Sequence, residues 1–265
     1  EEIYFKCGEE ITDKSRMGIA IILNFIENFK ASIDGTKVDI DNDLGDQELI
    51  GGPAIRRIFD EKYAKDLKNI QADISQEMII AYLKRSGGVR PPVFPSENLF
   101  EAIVLKQIGR LREPSMRCAE SVMFEMEKVI KHCVDVQSKF HVTRFPLFMR
   151  KLKEAMLKFL HDQMERTREF IKNIIDTEIT CVNTNHPDFL KLKEILESKD
   201  EAEEKSVINV DVVTQKLKMD AEEIKKLING YFLMEKSKIE DSVPKSIVLT
   251  LVKFMKENAQ TELLA

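Results

Sequence analysis

Four histidines, His132, His141, His161 and His186, and 46 aspartates and glutamates are the side chains that could hold a metal or move a proton in this 265-residue chain. A helical bundle that binds two metal ions carries Glu three residues before His on facing helices, which puts both ligands on one side of a helix. The residues three before these histidines are Val129, Ser138, Lys158 and Asn183, so that pair does not occur. DIDNDLGDQELI, residues 39 to 50, alternates like a calcium loop, which needs Gly at its sixth position and a bidentate Glu at its twelfth. Counted from Asp39, those positions hold Leu44 and Ile50; a solvated acidic loop is the better reading. Cys7, Cys118, Cys133 and Cys181 are widely separated with no CxxC, which removes zinc knuckles and dithiol redox motifs. Three of them fall at helical core spacing, so buried free thiols in a reducing cytosol are expected. No GxxxxGK[ST] phosphate loop, GxSxG elbow or GxGxxG turn is present. The acidic pairs lie on charged helix faces, and none is set among apolar residues. No catalytic residue, no cofactor and no metal is assigned to this chain.

If chemistry is absent, the elements themselves must carry the function. Hydrophobic residues make up 43% and charged residues 33%, while Gly (10) and Pro (8) are scarce and Trp is absent. That composition suits amphipathic helices and disfavours a turn-rich sandwich or barrel. The net charge of −5 has both signs interspersed, which argues against a nucleic-acid partner. The longest apolar run falls far short of the roughly 20 residues of a membrane span. EEIYFKCGEE has no leader-like features, and its abrupt start suggests a piece of a longer protein.

Helical periodicity begins over residues 13 to 34 and stops at Gly35. ELIGGPAIRRIFDEKYAKDLKNI, residues 48 to 70, opens on a tight Gly-Gly-Pro turn before a second helix. A short helix follows over 75 to 85, with Asp73 and Gln76 spaced as a capping box. SGGVRPPVFPS, residues 86 to 96, cannot be helical. Ser96 then caps a long helix to about Lys139, bent at Pro114, with a reach of roughly 65 Å at 1.5 Å per residue. A second long pattern spans Pro146 to about Asn183. Joined to the first by a short turn, it must run antiparallel. After an acidic linker, helices are expected from Val210 to about Glu240, with a capped restart at Asp220-x-x-Glu223, and from Ser242 to the end, with Pro244 in its first turn. The fold class is all-α, an elongated antiparallel four-helix bundle with one proline-bent helix.

Five stretches in order, FEAIVLKQIGRLREPSMRCAE, RFPLF, DTEITCVNTNHPDF, YFLMEKSKIEDSVPKSIVLTLV and ELLA, carry a further signal. Together with ELIGGPAIRRIF and GGVRPPVF, they resemble the stalk of dynamin-superfamily GTPases, over about Asp13 to Ala265. The wording NTNHPDF is closest to the mitochondrial, peroxisomal and vacuolar-sorting dynamin-related proteins. The resemblance implies a middle domain over 1–196, an acidic linker over 197–209 in place of a membrane-binding insert, and the first part of a GTPase effector domain over 210–265. It implies a parent GTPase that uses GTP and Mg, with the GTPase domain outside this chain. The implied protein is cytoplasmic and recruited peripherally to organelle or vesicle membranes.

By motif match, Leu190, Leu249 and Thr250 fall on the family's central dimer contact. Leu249, Leu251, Val252 and Phe254 also make the final helix apolar over more than one face. Gly51, Gly52, Arg56, Arg57, Gly87, Gly88 and Arg90 fall on the loop contact that joins dimers. There the family usually has arginine where this chain has Ala54, and Arg56 or Arg57 would substitute. Implied partners are the chain itself as homodimer and polymer, membrane through segments outside this chain, and adaptor proteins. On the amphipathic stripes alone, a generic helical adaptor that binds a partner helix is the alternative.

Overall fold

A computed structural model describes residues 14–36, 50–86, 97–141, 145–191, 194 and 212–264. The fold is all-α, and among these residues there is no strand. The helices are α1 (Lys14–Asp34), α2 (Gly52–Arg57), α3 (Ala64–Lys68), α4 (Gln76–Ser86), α5 (Glu97–Gly109), α6 (Arg112–His141), α7 (Pro146–Thr180), α8 (Val212–Ile247) and α9 (Phe254–Leu264). Two stretches of wide π-helix, Ile58–Tyr63 and Val248–Lys253, join α2 to α3 and α8 to α9. Ser86 is the last residue of α4 and not part of the expected loop, while residues 87–96 with the Ser96 cap, residues 39–49 of the acidic loop and the acidic linker lie outside the described residues.

The chain divides into two compact units, one of Glu1–Ala64, Ser115–Ile171 and Val243–Ala265, the other of Lys65–Pro114 and Lys172–Ser242. In the first unit α1 buries Ile21, Phe25, Ile26, Phe29 and Ile33 at steps of three and four. Each such side chain contributes about 1.5–3 kcal/mol. α9 packs along α1, and Lys256 pairs with Asp34. Gly35 ends α1 at φ 67, and the Thr36 N–H reaches the Ala31 carbonyl at 3.1 Å, which closes a Schellman turn. In the second unit Phe100, Phe189 and Tyr231 form an aromatic triad with centroids 5.2 to 5.9 Å apart.

Both prolines behave differently from the sequence expectation. The helix expected from Ser96 to Lys139 is two helices, α5 and α6. It tightens at Arg110 and Leu111, whose N–H groups bond three residues back to Gln107 and Ile108 at 3.1 and 2.9 Å. Pro114 thereby falls in the first turn of α6, where no N–H is needed. The two expected C-terminal helices are one: α8 shows no restart at Asp220 and runs through Pro244 in its interior. There the proline removes the bond to the Glu240 carbonyl. Burial of Ile239, Val243 and Ile247 keeps the helix continuous. Pro244→Ala is therefore expected to raise stability by up to about 3 kcal/mol, whereas Pro114→Ala brings no such gain, because Pro114 sits in a first turn that tolerates proline and its buried ring is lost from the packing. Thermal denaturation of both variants checks the contrast.

Two smaller expectations are also corrected. The Asp73 N–H bonds not to Gln76 but to the Gln107 Oε1 at 3.2 Å, and Gln107 Nε2 donates to the Asp73 carbonyl at 3.1 Å. A buried amide with both groups matched outcompetes a solvent-exposed capping box. Cys118 and Cys133 are buried as expected, but Cys181 is exposed, because it lies just past the end of α7.

Candidate functional site

Leu249 and Thr250 sit in the second wide turn. Leu251 and Val252 are buried there, while Val248 and Leu249 point to solvent, Leu249 with 55% of its surface exposed. The buried side is fixed by polar groups from α7. Gln163, buried, donates its amide to the Thr250 carbonyl at 2.5 Å. The Thr250 hydroxyl donates to the Ser246 carbonyl at 2.7 Å and lies 3.1 Å from the buried Thr167 hydroxyl. A wide turn frees carbonyls from the usual ladder, and Gln163 takes up the one at Thr250. Thr250 is thus an inward anchor and Leu249 its outward neighbour.

Leu190 belongs to the other unit. It lies in a helical segment that includes residues 187 to 191 and is 42% exposed beside the buried Phe189. Tyr231 holds this segment twice, through its ring against Phe189 and through its hydroxyl, which accepts the Asn183 N–H at 3.0 Å. Both leucines are exposed within the described chain, so neither is a core residue.

Near Tyr231 lies a feature the sequence reading missed. Glu235 is fully buried, with Oε1 2.7 Å from Lys238 Nζ. Glu178 comes within hydrogen-bonding reach of Glu235. Burial first, then that hydrogen bond and the charge of Glu235, hold the Glu178 carboxyl above its ordinary 4.5, against the pull of Lys238. The Tyr231 hydroxyl is pushed up to about 12, chiefly by burial, with both carboxylates adding. A carboxyl raised in the folded state contributes stability that is complete below its unfolded value and lost as pH rises through its folded value. Glu178→Gln should therefore flatten the decline in denaturation midpoint above pH 4.5, read against the wild type in a urea series up to neutral pH.

The Gly-Gly-Pro turn lies in the first unit. Gly51 is buried at φ 80 and ψ −136, and its N–H donates to the Glu125 Oε1 at 3.0 Å. A Cβ on Gly51 would stand 2.3 Å from the Ser32 carbonyl oxygen, and one on Gly52 2.1 Å from that of Ile33. These glycines let the turn cross the backbone of α1. Ala54 is buried, while Arg56 and Arg57 are exposed and pair with Asp60 and Glu61 one turn on. Gly87, Gly88 and Arg90 lie outside the described residues. Glu125 is a second buried carboxylate that the sequence reading placed on a charged face. A signal was available, since Val122, Glu125, Met126 and Val129 share one apolar stripe.

No group of three or more potential metal ligands gathers among the described residues, and no helix there is long and apolar enough to cross a membrane. The turn at Gly51 does not fit a triphosphate, because its N–H already serves a carboxylate. The sequence model described as the dynamin central region matches residues 3–198, and that of the dynamin GTPase effector domain matches residues 216–265. The chain belongs to the dynamin family. This dynamin-family chain is 26% identical, over an alignment 343 positions long, to Dynamin-1-like protein drp-1 of Caenorhabditis elegans, covering 97% of the chain and 48% of that protein. It is 27% identical to Dynamin-1-like protein of Danio rerio, with 97% and 46% covered. Against Dynamin-related protein DNM1 of Saccharomyces cerevisiae it is 33% identical over 190 residues, 70% of the chain and 24% of that protein. The dynamin-family chain thus spans about half the length, or less, of these relatives.

Proposed function

We propose that this chain is the self-assembly stalk of a dynamin-related large GTPase. Copies dimerise through surfaces that include Leu249, beside the anchor Thr250, and Leu190. Dimers then join through the loop region of Arg56, Arg57 and Arg90. Two different two-fold contacts on one subunit carry assembly beyond the dimer, and where their axes do not intersect the product is an open polymer. On a membrane tubule such a polymer would bring GTPase heads together, and GTP hydrolysis with Mg in those heads would drive fission or remodelling. Recruitment would be peripheral, through adaptors or membrane-binding segments outside this chain.

The observation that carries this reading is Leu249, an exposed leucine on a turn whose inner side is locked by Gln163 and Thr167. The test is molar mass by light scattering over a concentration series for the wild type and Leu190→Asp. A wild-type dimer that becomes a monomer of unchanged helicity supports the stalk. A dimer in both removes Leu190 from the contact.

The adaptor reading has one observation in its favour. Met17, Ile21, Phe145, Phe148, Leu263 and Leu264 line an apolar groove of about 450 Å³ in the first unit. A wild type that is monomeric at every concentration would favour it.

A further inference from the structure

A carboxylate at a stripe position must answer to something buried. Val122, Met126 and Val129 are apolar and fully buried on α6, and Glu125 beside them is 5% exposed. Burying a charge is costly unless it is hydrogen-bonded, and the hydrogen bond it makes is to the backbone of a turn 74 residues away in sequence. Lys128, one turn on, stands 3.8 Å from the other carboxylate oxygen and leaves the first one to Gly51.

The turn it holds has little freedom of its own. Gly51 occupies a backbone region that is essentially closed to other residues. Gly51 and Gly52 lie directly on the Ser32 and Ile33 carbonyls. The Gly51 carbonyl accepts the Ile55 N–H at 2.9 Å and so starts the helix that displays Arg56 and Arg57. One residue, Gly51, therefore connects the end of α1, the start of α2 and the stripe of α6. Only the Glu125 contact is a side-chain hydrogen bond.

We propose that Glu125 is a positioning residue for the loop contact, holding the Gly51-Gly52-Pro53 turn in the path that presents Arg56 and Arg57 to a neighbouring dimer. The proposal rests on the stalk reading above. Its mechanism is acceptance of one N–H, not charge, so glutamine should serve as well as glutamate.

The test follows polymer formation by the full 265-residue chain, using light scattering and negative-stain electron microscopy. The proteins compared are wild type, Glu125→Gln, Glu125→Leu and the double variant Arg56→Ala/Arg57→Ala. Leucine suits the stripe but strands the Gly51 N–H, and an unsatisfied buried donor costs enough to raise the critical concentration about tenfold or more. Glu125→Leu should therefore stop at folded dimers, and Glu125→Gln should polymerise like the wild type. Wild-type behaviour of Glu125→Leu overturns the proposal, as does loss of polymer in Glu125→Gln. If the double arginine variant polymerises normally, or the wild type never exceeds a dimer, the loop-contact reading itself fails. If the arginine variant is defective and Glu125→Leu is not, Glu125 alone is refuted. Hydrogen exchange at the Gly51 amide in the wild type gives a check that needs no variant to fold: slow exchange supports the bond, and fast exchange overturns it.

Discussion

Leu249→Asp is expected to convert the proposed dimer into a folded monomer. The position is more than half exposed in the single chain, while Leu251 and Val252 fill the core below it. An aspartate there therefore stays hydrated in the monomer and costs the fold little. In a dimer built on this surface the same carboxylate would be buried without a partner, at a cost of several kcal/mol. A micromolar dimer is held by about 8 kcal/mol, so that cost moves dissociation far above any working concentration. Sedimentation equilibrium with circular dichroism on the same samples reads both parts. A persistent dimer would remove Leu249 from the contact, and lost helicity would show that the outward side chain supports the fold.

The second large effect concerns folding itself. Gly52→Ala places a methyl carbon 2.1 Å from the Ile33 carbonyl oxygen, and that obstacle is backbone at the end of α1, not a side chain that can rotate away. Either α1 or the start of α2 must move, and each is tied to the first unit's core through Ile33, Ala54 and Ile55. Overpacking of this kind typically costs about 1–3 kcal/mol. The upper end is expected here because both colliding partners are main chain. Chemical denaturation of Gly52→Ala should show that loss with an unchanged slope. Arg56→Ala, one turn away on an exposed surface, should stay within about 0.5 kcal/mol. Equal stabilities would mean that the crossing of the two chains is loose.

Much of the architecture was legible because apolar periodicity survives in long helices. α1 ends at Gly35 and α7 begins at Pro146, as the pattern and the breaking residues require. The interruption at Arg110 and Leu111 was hidden because Ile108 and Leu111 keep the apolar spacing across it. Pro114 marks the helix that follows the break, not a bend within one helix. Pro244 misled in the opposite sense: the local rule puts a proline in a first turn, but tertiary burial outweighed it. Of the candidate site, the leucines could be named by family wording, yet their exposure could not be read from hydropathy. Glu125 and Glu235 escaped because acidic residues are abundant on the solvated faces. Only the three-dimensional neighbours of Gly51 and Tyr231 single them out.

The wide turn at Val248–Lys253 also settles an angular account. Val243, Ile247, Leu251, Met255 and Ala259 are all buried at strict intervals of four. At 3.6 residues per turn each interval overshoots by about 40°, so four intervals carry the stripe about 160° around the helix. Val243 and Ala259 would then look toward nearly opposite sides. One extra residue absorbed in the wide turn subtracts about 100°, and the remaining offset fits within a single core-facing stripe. The helix thus works as a vernier, whose two scales agree at this chain length only while the turn over Val248–Lys253 stays wide. A one-residue deletion there would restore a regular α-helix and leave Met255 and Ala259 on the same stripe, whereas regularising the turn at full length would swing them about 100° away from everything before them.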